Sequence, residues 1–225
     1  MRNSLDDTGG HVLGNFPNYY SFNPSSERIS VLEPSFWRRI APPGPLSFLD
    51  IGCNSGDLTE DFRMNLVNLA GCDSIKAFGV DVDRHLIDVA ESRYPNCYFK
   101  CLDFVDTLLE DQTSFDICTL FGVTMWVHLN HGDAGLVNLL EKACTYANTS
   151  VIIEPQTWNN YKKARKRIKE KGCCKPEFMN QIISGQEEVS ELIDKTCMIF
   201  FHTKIIHGVT KWGRQIIEFT DKIQI

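Results

Sequence analysis

A short glycine-containing segment is the first place in this sequence where residue types and spacing indicate chemistry. Gly52 and Gly56 flank Cys53-Asn54-Ser55, directly after the apolar run LSFLDI and directly before an amphipathic stretch. Glycines at the end of a strand let the backbone turn tightly and approach a ligand, and the next helix points its N-terminal N–H groups towards it. On its own the segment is also typical of a simple tight turn.

Two aspartates at the ends of later apolar runs strengthen the ligand interpretation. Asp81 ends the run AFGVD, and Asp103 with Phe104 ends the run CYFKCLDF. A carboxylate after the second strand can accept hydrogen bonds from both hydroxyls of a ribose. A carboxylate after the third strand can accept from an adenine amino group, on whose ring Phe104 can stack. Asp is also common at helix N-caps and turns, but three coincident positions favour a nucleoside-containing cofactor.

The order of these features distinguishes the common nucleotide-binding classes. A nicotinamide-binding fold requires G-x-G-x-x-G, and a P-loop requires Lys followed by Ser or Thr after the glycines; this loop has neither pattern. A glycine loop followed by acids after strands two and three resembles the class I methyltransferases, which use S-adenosyl-L-methionine. Asn54 replaces the middle glycine of their GxGxG pattern, and its amide can hydrogen-bond the methionine carboxylate or the ribose.

The acceptor of such a reaction is expected near the residues that follow the fourth and fifth apolar runs. These are TMWVHLNHGD, 124–133, and EPQTW, 154–158, which are dense in side chains that stack or hydrogen-bond. In parallel α/β sheets, ligands bind beyond the carboxyl ends of the strands. His128 fits a phosphate donor and a structural role about equally well, whereas a helix cap is the better interpretation of His131. Glu154 is better suited to orienting a neighbouring amide or binding the cofactor ammonium than to contacting an anion.

Five segments together resemble one known family. GNFPNYY, LDIGCNSGDLT, VDVD, TMWVHLNHGDAGL and EPQTWNNY are similar to motifs of the Bicoid-interacting family of RNA 5′-phosphate methyltransferases, across 14–218. The resemblance implies S-adenosyl-L-methionine as donor, S-adenosyl-L-homocysteine as product and an RNA with a 5′-phosphate as partner. The CNSGDL loop, the HLNHGDAGL motif and the compact length look more like the branch that methylates a 5′-monophosphate on a small RNA, of the precursor microRNA or tRNA type. Methylation of a γ-phosphate (capping), or RNA-end binding without turnover, are the alternatives.

The resemblance also implies roles for individual residues. The cofactor-binding residues would be Arg28, Gly52, Asn54, Asp81, Asp103 and Phe104. Among them Arg28, in an N-terminal arm, would reach the cofactor carboxylate. The residues that position the RNA phosphate would be Tyr19, Tyr20, His128, Asn130, Gln156 and Trp158. No catalytic acid or base is predicted, because a phosphate with a second pKa near ~6 is already largely ionised at neutral pH.

A basic segment follows EPQTW directly. YKKARKRIKEKGCCK, 161–175, contains eight Lys or Arg and one Glu in a chain whose net charge is −6. Basic side chains beside the predicted acceptor site can follow an RNA backbone, although a solvated helix face is the alternative. We expect RNA contacts from Lys162, Lys163, Arg165, Lys166, Arg167 and Lys169. Trp212 and Arg214 match a Trp-x-Arg pattern of the family, but core packing and an ion pair account for them without a catalytic role.

The elements that must position these residues alternate between strand and helix patterns. Apolar runs predict strands over 47–52, 77–83, 97–104, 114–123, 150–155, 196–206 and 214–220. Helical patterns cover 28–40, 58–69, 85–92, 131–147, 158–171 and 185–195. The alternation predicts a class I methyltransferase (Rossmann-like) α/β fold: a mainly parallel seven-stranded sheet with an antiparallel last strand and helices on both faces. Residues 14–225 would form one domain with 14–45 as an arm over the site, and 1–13 a flexible tail.

Composition limits the remaining classes of protein. Nine cysteines occur without a CxxC pair or a histidine cluster, which favours reduced thiols and no metal site. No apolar run approaches the ~18 residues that span a bilayer, and the N-terminus lacks the signal-peptide pattern. We therefore expect a cytoplasmic protein, with the nucleus as the alternative, that is not membrane-bound and is a monomer. The negative charge argues against general coating of nucleic acid but allows a local basic patch.

Overall fold

The architecture is a seven-stranded sheet flanked by helices, seen in a computed structural model that describes residues 14, 16, 18–40, 44–70, 74–109, 114–170, 182 and 186–223. The strands are β1 Leu46–Ile51, β2 Ile75–Asp81, β3 Tyr98–Cys101, β4 Phe115–Phe121, β5 Ala147–Glu154, β6 Phe201–Val209 and β7 Gln215–Lys222. The helices are α1 Tyr19–Phe22, α2 Ser25–Val31, α3 Pro34–Ile40, α4 Asp57–Ala70, α5 Arg84–Arg93, α6 Thr124–Tyr146, α7 Trp158–Glu170 and α8 Gln186–Cys197. None of these helices has the length and apolar content needed to cross a bilayer.

The sheet has the strand order β3-β2-β1-β4-β5-β7-β6. The first five strands pair in parallel, whereas β7 is antiparallel to both β5 and β6. The order reverses between β1 and β4, which is the switch point where ligands of open α/β sheets bind. The predicted fold class, including the antiparallel last strand, is therefore confirmed.

Two apolar clusters cover the two faces of the sheet. Successive strand residues point to opposite faces, and in β1 Phe48 joins the cluster of α3 and α4 while Leu49 joins that of α6 and α8. Both side chains are completely buried. The parallel strands need apolar residues on both faces, which explains their nearly continuous apolar sequences.

Three predicted elements had wrong boundaries. The predicted strand 196–206 begins only at Phe201, because burial of Val189, Ile193 and Cys197 at four-residue spacing continues α8 to Cys197. The strand then extends to Val209, into the predicted connection. The predicted helix 28–40 divides before Pro34, since the residue preceding proline disfavours helical geometry. The helix predicted from 131 begins at Thr124 and is interrupted at Gly132, whose φ is 67°.

Candidate active site

The glycine loop lies where β1 turns into α4. Gly52 and Gly56 have φ values of 78° and 79°, in the left-handed region that favours glycine. A Cβ on Gly52 would lie 2.8 Å from the side chain of Val123, so the loop and the start of α6 approach too closely for a larger residue. The backbone N–H groups of Gly52 and Cys53 both donate to the Val80 carbonyl, which ties the loop to the end of β2.

Asn54 connects the loop to the N-terminal segment. Its φ is 53°, a left-handed conformation that Asn tolerates better than most side chains. Its Oδ1 accepts from the Ser55 N–H at 2.9 Å, and its Nδ2 donates to the Phe16 carbonyl at 3.3 Å. Tyr20 makes a second contact between the N-terminal segment and the loop, because its hydroxyl donates to the Cys53 carbonyl at 3.3 Å. The loop therefore holds residues of the predicted arm at two points.

Asp81 lies at the end of β2 and lines the same cleft as Gly52 and Asn54. Its Oδ2 accepts from the Asn54 N–H at 2.9 Å and its Oδ1 from the Asp83 N–H at 3.0 Å. Burial raises the pKa of Asp81 to about 6, although the two N–H donors oppose this shift. Each oxygen retains a lone pair for a ribose hydroxyl.

Asp103 and Phe104 lie on the far side of the cleft. The Asp103 Oδ1 accepts from the Val105 N–H at 2.9 Å, and its Oδ2 lies 3.7 Å from Nε2 of His131. Phe104 is almost completely buried, and the ammonium of Lys142 donates to its carbonyl at 2.7 Å. The cleft thus has carboxylates at two places, and its lining includes apolar residues such as Val80 and Leu102. Its polar and aromatic lining also includes Tyr19, Trp126, Asn130 and His131.

Arg28 forms a buried ion pair with Glu154 and contacts Tyr19, which lines the cleft. Its Nε and Nη2 donate to Oε2 of Glu154 at 2.9 and 2.7 Å, and neither side chain is exposed. Its Nη2 also donates to the Tyr19 hydroxyl at 2.5 Å, and Trp212 Nε1 donates to Glu154 Oε1 at 2.7 Å. Arg28 is not among the residues that line the cleft. The predicted contact with the cofactor carboxylate stays a prediction, and the Glu154 carboxylate is used by Arg28 and Trp212 rather than by a neighbouring amide.

His128 lies in the interior instead of at the site. Its Nδ1 is 3.0 Å from the Tyr161 hydroxyl and its Nε2 is 2.6 Å from Oδ1 of Asp133. Burial lowers the pKa of His128, although the hydrogen bond with Asp133 opposes this shift. Of the two interpretations of His128, the contacts match the structural one. Asn130 does line the cleft, where its Nδ2 donates to the Trp126 carbonyl at 2.7 Å.

Gln156 supports the site through hydrogen bonds to the backbone, whereas Trp158 lies at a separate cavity. The Gln156 Oε1 accepts from the Met125 N–H at 2.9 Å and the Thr124 hydroxyl at 3.1 Å, while its Nε2 donates to the Gly122 carbonyl. Its amide therefore holds the start of α6 against the end of β4. Trp158 packs against Tyr161 with ring centroids 5.2 Å apart and lines a separate cavity.

A groove of about 800 Å³ adjoins the cleft. Its walls come from α1, the end of β4, the start of α6, one face of α7 and the β6–β7 connection. The groove and the cleft share three lining residues, Tyr19, Gly122 and Trp126. Its cationic lining residues are Lys163, Lys166, Arg167 and Arg214. The other predicted RNA contacts, Lys162, Arg165 and Lys169, are not among its lining residues.

The sequence interpretation missed Gly122 and Phe22, and it assigned Arg214 to an ion pair, which the structure contains as a 3.6 Å approach of its Nη1 to Oε2 of Glu154. Arg214 lines the groove and its Nη1 donates to the Tyr19 hydroxyl at 3.3 Å. A Cβ on Gly122 would lie 2.7 Å from that hydroxyl, so only glycine permits the approach. Phe22 lines the groove with 80% of its surface exposed. Because β7 is antiparallel to β5, the first residues of β7 lie beside the carboxyl end of β5. Arg214, directly before β7, could have been recognised as a site residue from this placement.

The comparisons with known proteins agree with this geometry. The family model for Bicoid-interacting protein 3 matches residues 115–221, and a general methyltransferase-domain model matches residues 48–142. The pre-miRNA 5′-monophosphate methyltransferase of Xenopus laevis is 32% identical, covering 97% of this chain and 94% of that protein. The RNA 5′-monophosphate methyltransferase of Homo sapiens is 31% identical over 95% of this chain and 82% of that protein.

Solved structures show the same fold at low identity. The plantazolicin methyltransferase BpumL, crystallised with a pentazolic desmethylPZN analogue and S-adenosylhomocysteine, superimposes with a TM-score of 0.61 and 12% identity, covering 98% of this chain and all of that one. The chain described here has the cleft that such a cofactor requires. Asp81 has free acceptor capacity for hydroxyls, and Gly52 and Asn54 of the glycine loop line the cleft beside it.

Proposed function

The chain belongs to the Bicoid-interacting family of S-adenosylmethionine-dependent RNA phosphate methyltransferases, and on that basis we propose that it methylates the 5′-monophosphate of a small RNA. The observation that supports this best is the junction of the cofactor cleft with the basic groove. A methyl donor in the cleft and an anion in the groove would meet between Tyr19, Gly122 and Trp126. The names of the Xenopus and human relatives support the monophosphate as acceptor.

The Tyr19 hydroxyl is well placed to orient the acceptor. It accepts from Arg28 at 2.5 Å and from Arg214 at 3.3 Å. A phenol oxygen that accepts two hydrogen bonds has its own proton left to donate. Tyr19 lines both cavities, so this proton can be donated to a phosphate oxygen at the junction. Arg214, nearly buried beside it, lines the groove and brings a second guanidinium to this hydroxyl.

The reaction requires orientation rather than proton transfer. S-adenosylmethionine in the cleft lined by Gly52, Asn54 and Asp81 would supply an electrophilic methyl group, whose bond to sulfur would break as a phosphate oxygen forms the new bond to carbon, leaving S-adenosylhomocysteine. The phosphate is already largely ionised at pH 7, so the protein needs to hold the oxygen in line. Correct positioning can lower the barrier by about 7–11 kcal/mol. This agrees with the position of His128, whose ring nitrogens are used by Tyr161 and Asp133.

The RNA beyond its first phosphate is proposed to follow one face of α7. Lys163, Lys166 and Arg167 line the groove, whereas Lys162 and Lys169 do not. All five side chains are solvent-exposed, so the helix offers a matched comparison. Reversing the charge of Lys163 and Lys166 together should weaken RNA binding and reduce the dependence of log K on log salt by about 1.4, because each phosphate neutralised on a single strand accounts for about 0.7. The same charge reversal at Lys162 and Lys169 should weaken RNA binding less. Equal losses of RNA affinity in the two double variants would contradict an RNA path along the groove.

The acceptor is tested with one short RNA that bears a 5′-monophosphate, a 5′-triphosphate or a 5′-hydroxyl. Each is incubated with the protein and S-adenosylmethionine labelled in its methyl group. We expect transfer to the monophosphate, little to the triphosphate and none to the hydroxyl. Equal labelling of the hydroxyl RNA would refute a phosphate acceptor, and preference for the triphosphate would indicate methylation of a γ-phosphate instead. Binding of S-adenosylhomocysteine without transfer to any of the RNAs would indicate end binding without turnover.

A further inference from the structure

Phe22 is an unusual feature of the groove. It is a large apolar side chain with 80% of its surface exposed, on a wall that also contains charged and polar residues. Isolated apolar side chains on a surface need no explanation. Phe22, however, lines the same groove as Lys163, Lys166, Arg167 and Arg214, whose positive charges suit a polyanion. An aromatic ring next to basic residues is the arrangement with which proteins bind single-stranded nucleic acid.

The backbone around Phe22 is anchored at both ends of α1, because the Tyr19 N–H donates to the Phe16 carbonyl at 3.0 Å at its start and two hydrogen bonds hold Asn23 at its end. The Asn23 N–H donates to the Tyr19 carbonyl at 3.0 Å, and Nη1 of Arg28 donates to the Asn23 carbonyl at 3.3 Å. Arg28 is itself completely buried in its pair with Glu154. The ring therefore projects from a supported turn, and a ligand that stacks on it does not have to order the backbone first.

The distance between Tyr19 and Phe22 along α1 is similar to the distance between the phosphate and the base of one nucleotide. Residues three apart on a helix lie on the same side, separated by about 4.5 Å along the axis. Tyr19 lies at the junction with the cofactor cleft, where the proposed function places the 5′-phosphate. The base of the same nucleotide, one ribose away, then reaches the neighbouring side chain on that wall, which is Phe22.

We infer that Phe22 is the stacking platform for the 5′-terminal nucleobase of the RNA. The inference rests on the proposed function, because it takes the position of the phosphate from it. Stacking uses the π-face that every base has, so it tolerates any base at the first position. It also requires that the first base be unpaired and unstacked. The platform therefore selects RNAs whose 5′-terminal nucleotide is accessible, and it does so without reading sequence.

The test pairs a change in the protein with a change in the RNA. Phe22→Ala and wild type are compared on a 5′-monophosphate RNA with an adenine at its first position and on the same RNA with an abasic first nucleotide. Dissociation constants come from fluorescence anisotropy with a label at the 3′ end, and KM values from methyl transfer. Phe22→Ala should weaken binding of the adenine RNA by about fivefold or more, the loss of one stacked base. Wild type and variant should bind the abasic RNA equally.

Three further variants are the controls. Phe22→Trp should restore the affinity for the adenine RNA, while Phe22→Leu should not. Ile199→Ala removes another exposed apolar side chain, 58% exposed and outside the lining of the groove, and should leave both RNAs unaffected. Equal losses of affinity for Phe22→Ala on the adenine and abasic RNAs, or no loss on either, would overturn the platform. If wild type binds the RNAs but transfers no methyl group, the proposed function fails, while the binding data still decide the role of Phe22.

Discussion

Replacing Arg28 by Met tests how the N-terminal segment is held on the sheet. Both side chains of the Arg28–Glu154 pair are completely buried, and two guanidinium nitrogens donate to one carboxylate oxygen. Met fills a similar volume but leaves Glu154 with only Trp212 on Oε1 and Arg214 at 3.6 Å from Oε2. Breaking a buried pair by removing one partner costs about 3–5 kcal/mol. Because Arg214 can move closer, we expect a loss near the lower end, about 3 kcal/mol.

The loss is measured by urea unfolding followed by circular dichroism, and by thermal melting. In a domain of this size, 225 residues, each kcal/mol corresponds to about 2–4 °C in Tm. Arg28→Met should therefore lower Tm by about 6–12 °C. Combined with Glu154→Gln it should cost less than the sum of the two single changes by about 1–3 kcal/mol, since neither the Arg28 guanidinium nor the Glu154 carboxylate is left buried without the other. Arg84→Met, which breaks an exposed pair with Asp88, is the control and should change stability by less than about 1 kcal/mol.

Two results would refute this reasoning. A loss below about 1 kcal/mol for Arg28→Met would mean that the pair does not hold the segment in place. Unchanged stability together with strongly weakened binding of S-adenosylhomocysteine would mean that the guanidinium serves the cofactor carboxylate, as the family resemblance implies. The calorimetric Kd for S-adenosylhomocysteine is therefore measured on the same samples.

Three other changes test the roles assigned to Asn54, Asp81 and His128. Asn54→Gly removes the hydrogen bond to the Phe16 carbonyl, at a φ that glycine adopts freely. Binding of S-adenosylhomocysteine should therefore persist, while the KM for RNA should rise. An unchanged KM would contradict a role for Asn54 in holding the arm. Because protonated Asp81 loses acceptor capacity, and its pKa is about 6, the affinity for S-adenosylhomocysteine should fall about tenfold between pH 8 and pH 5. Asp81→Asn should flatten that profile, as followed by calorimetry. His128→Asn should leave the shape of the pH–rate profile for methyl transfer unchanged, since its ring contacts only the protein interior; loss of one limb would indicate proton transfer by His128.

The sheet and the cofactor end of the site could be predicted because their signals are local. Each parallel strand is an apolar run, and the residue that follows it lies at the ligand-binding edge. Asp81 and Asp103 therefore appeared as a pair of candidates, and the structure brings both to one cleft with Gly52 and Asn54. Their positions depend on strand ends that are visible as changes from apolar to polar residues.

The acceptor end could not be predicted in the same way, because it depends on which face of a helix each side chain occupies. The segment 124–131 is the first part of α6, so Trp126 and Asn130, four residues apart, face the cleft while His128 faces Tyr161. The pairing of Arg28 with Glu154 joins residues 126 positions apart, and no local pattern reports such an interaction.

The position of the transferred methyl group is the most direct test of the central claim. After reaction with a 5′-monophosphate RNA, the product is digested to nucleotides and the 5′-terminal one is analysed by mass spectrometry. We expect a nucleoside whose 5′-phosphate carries one methyl group, on RNA that has become resistant to removal of its 5′-phosphate by phosphatase. A methyl group on the ribose or on a base, with an unmodified 5′-phosphate, would contradict the account.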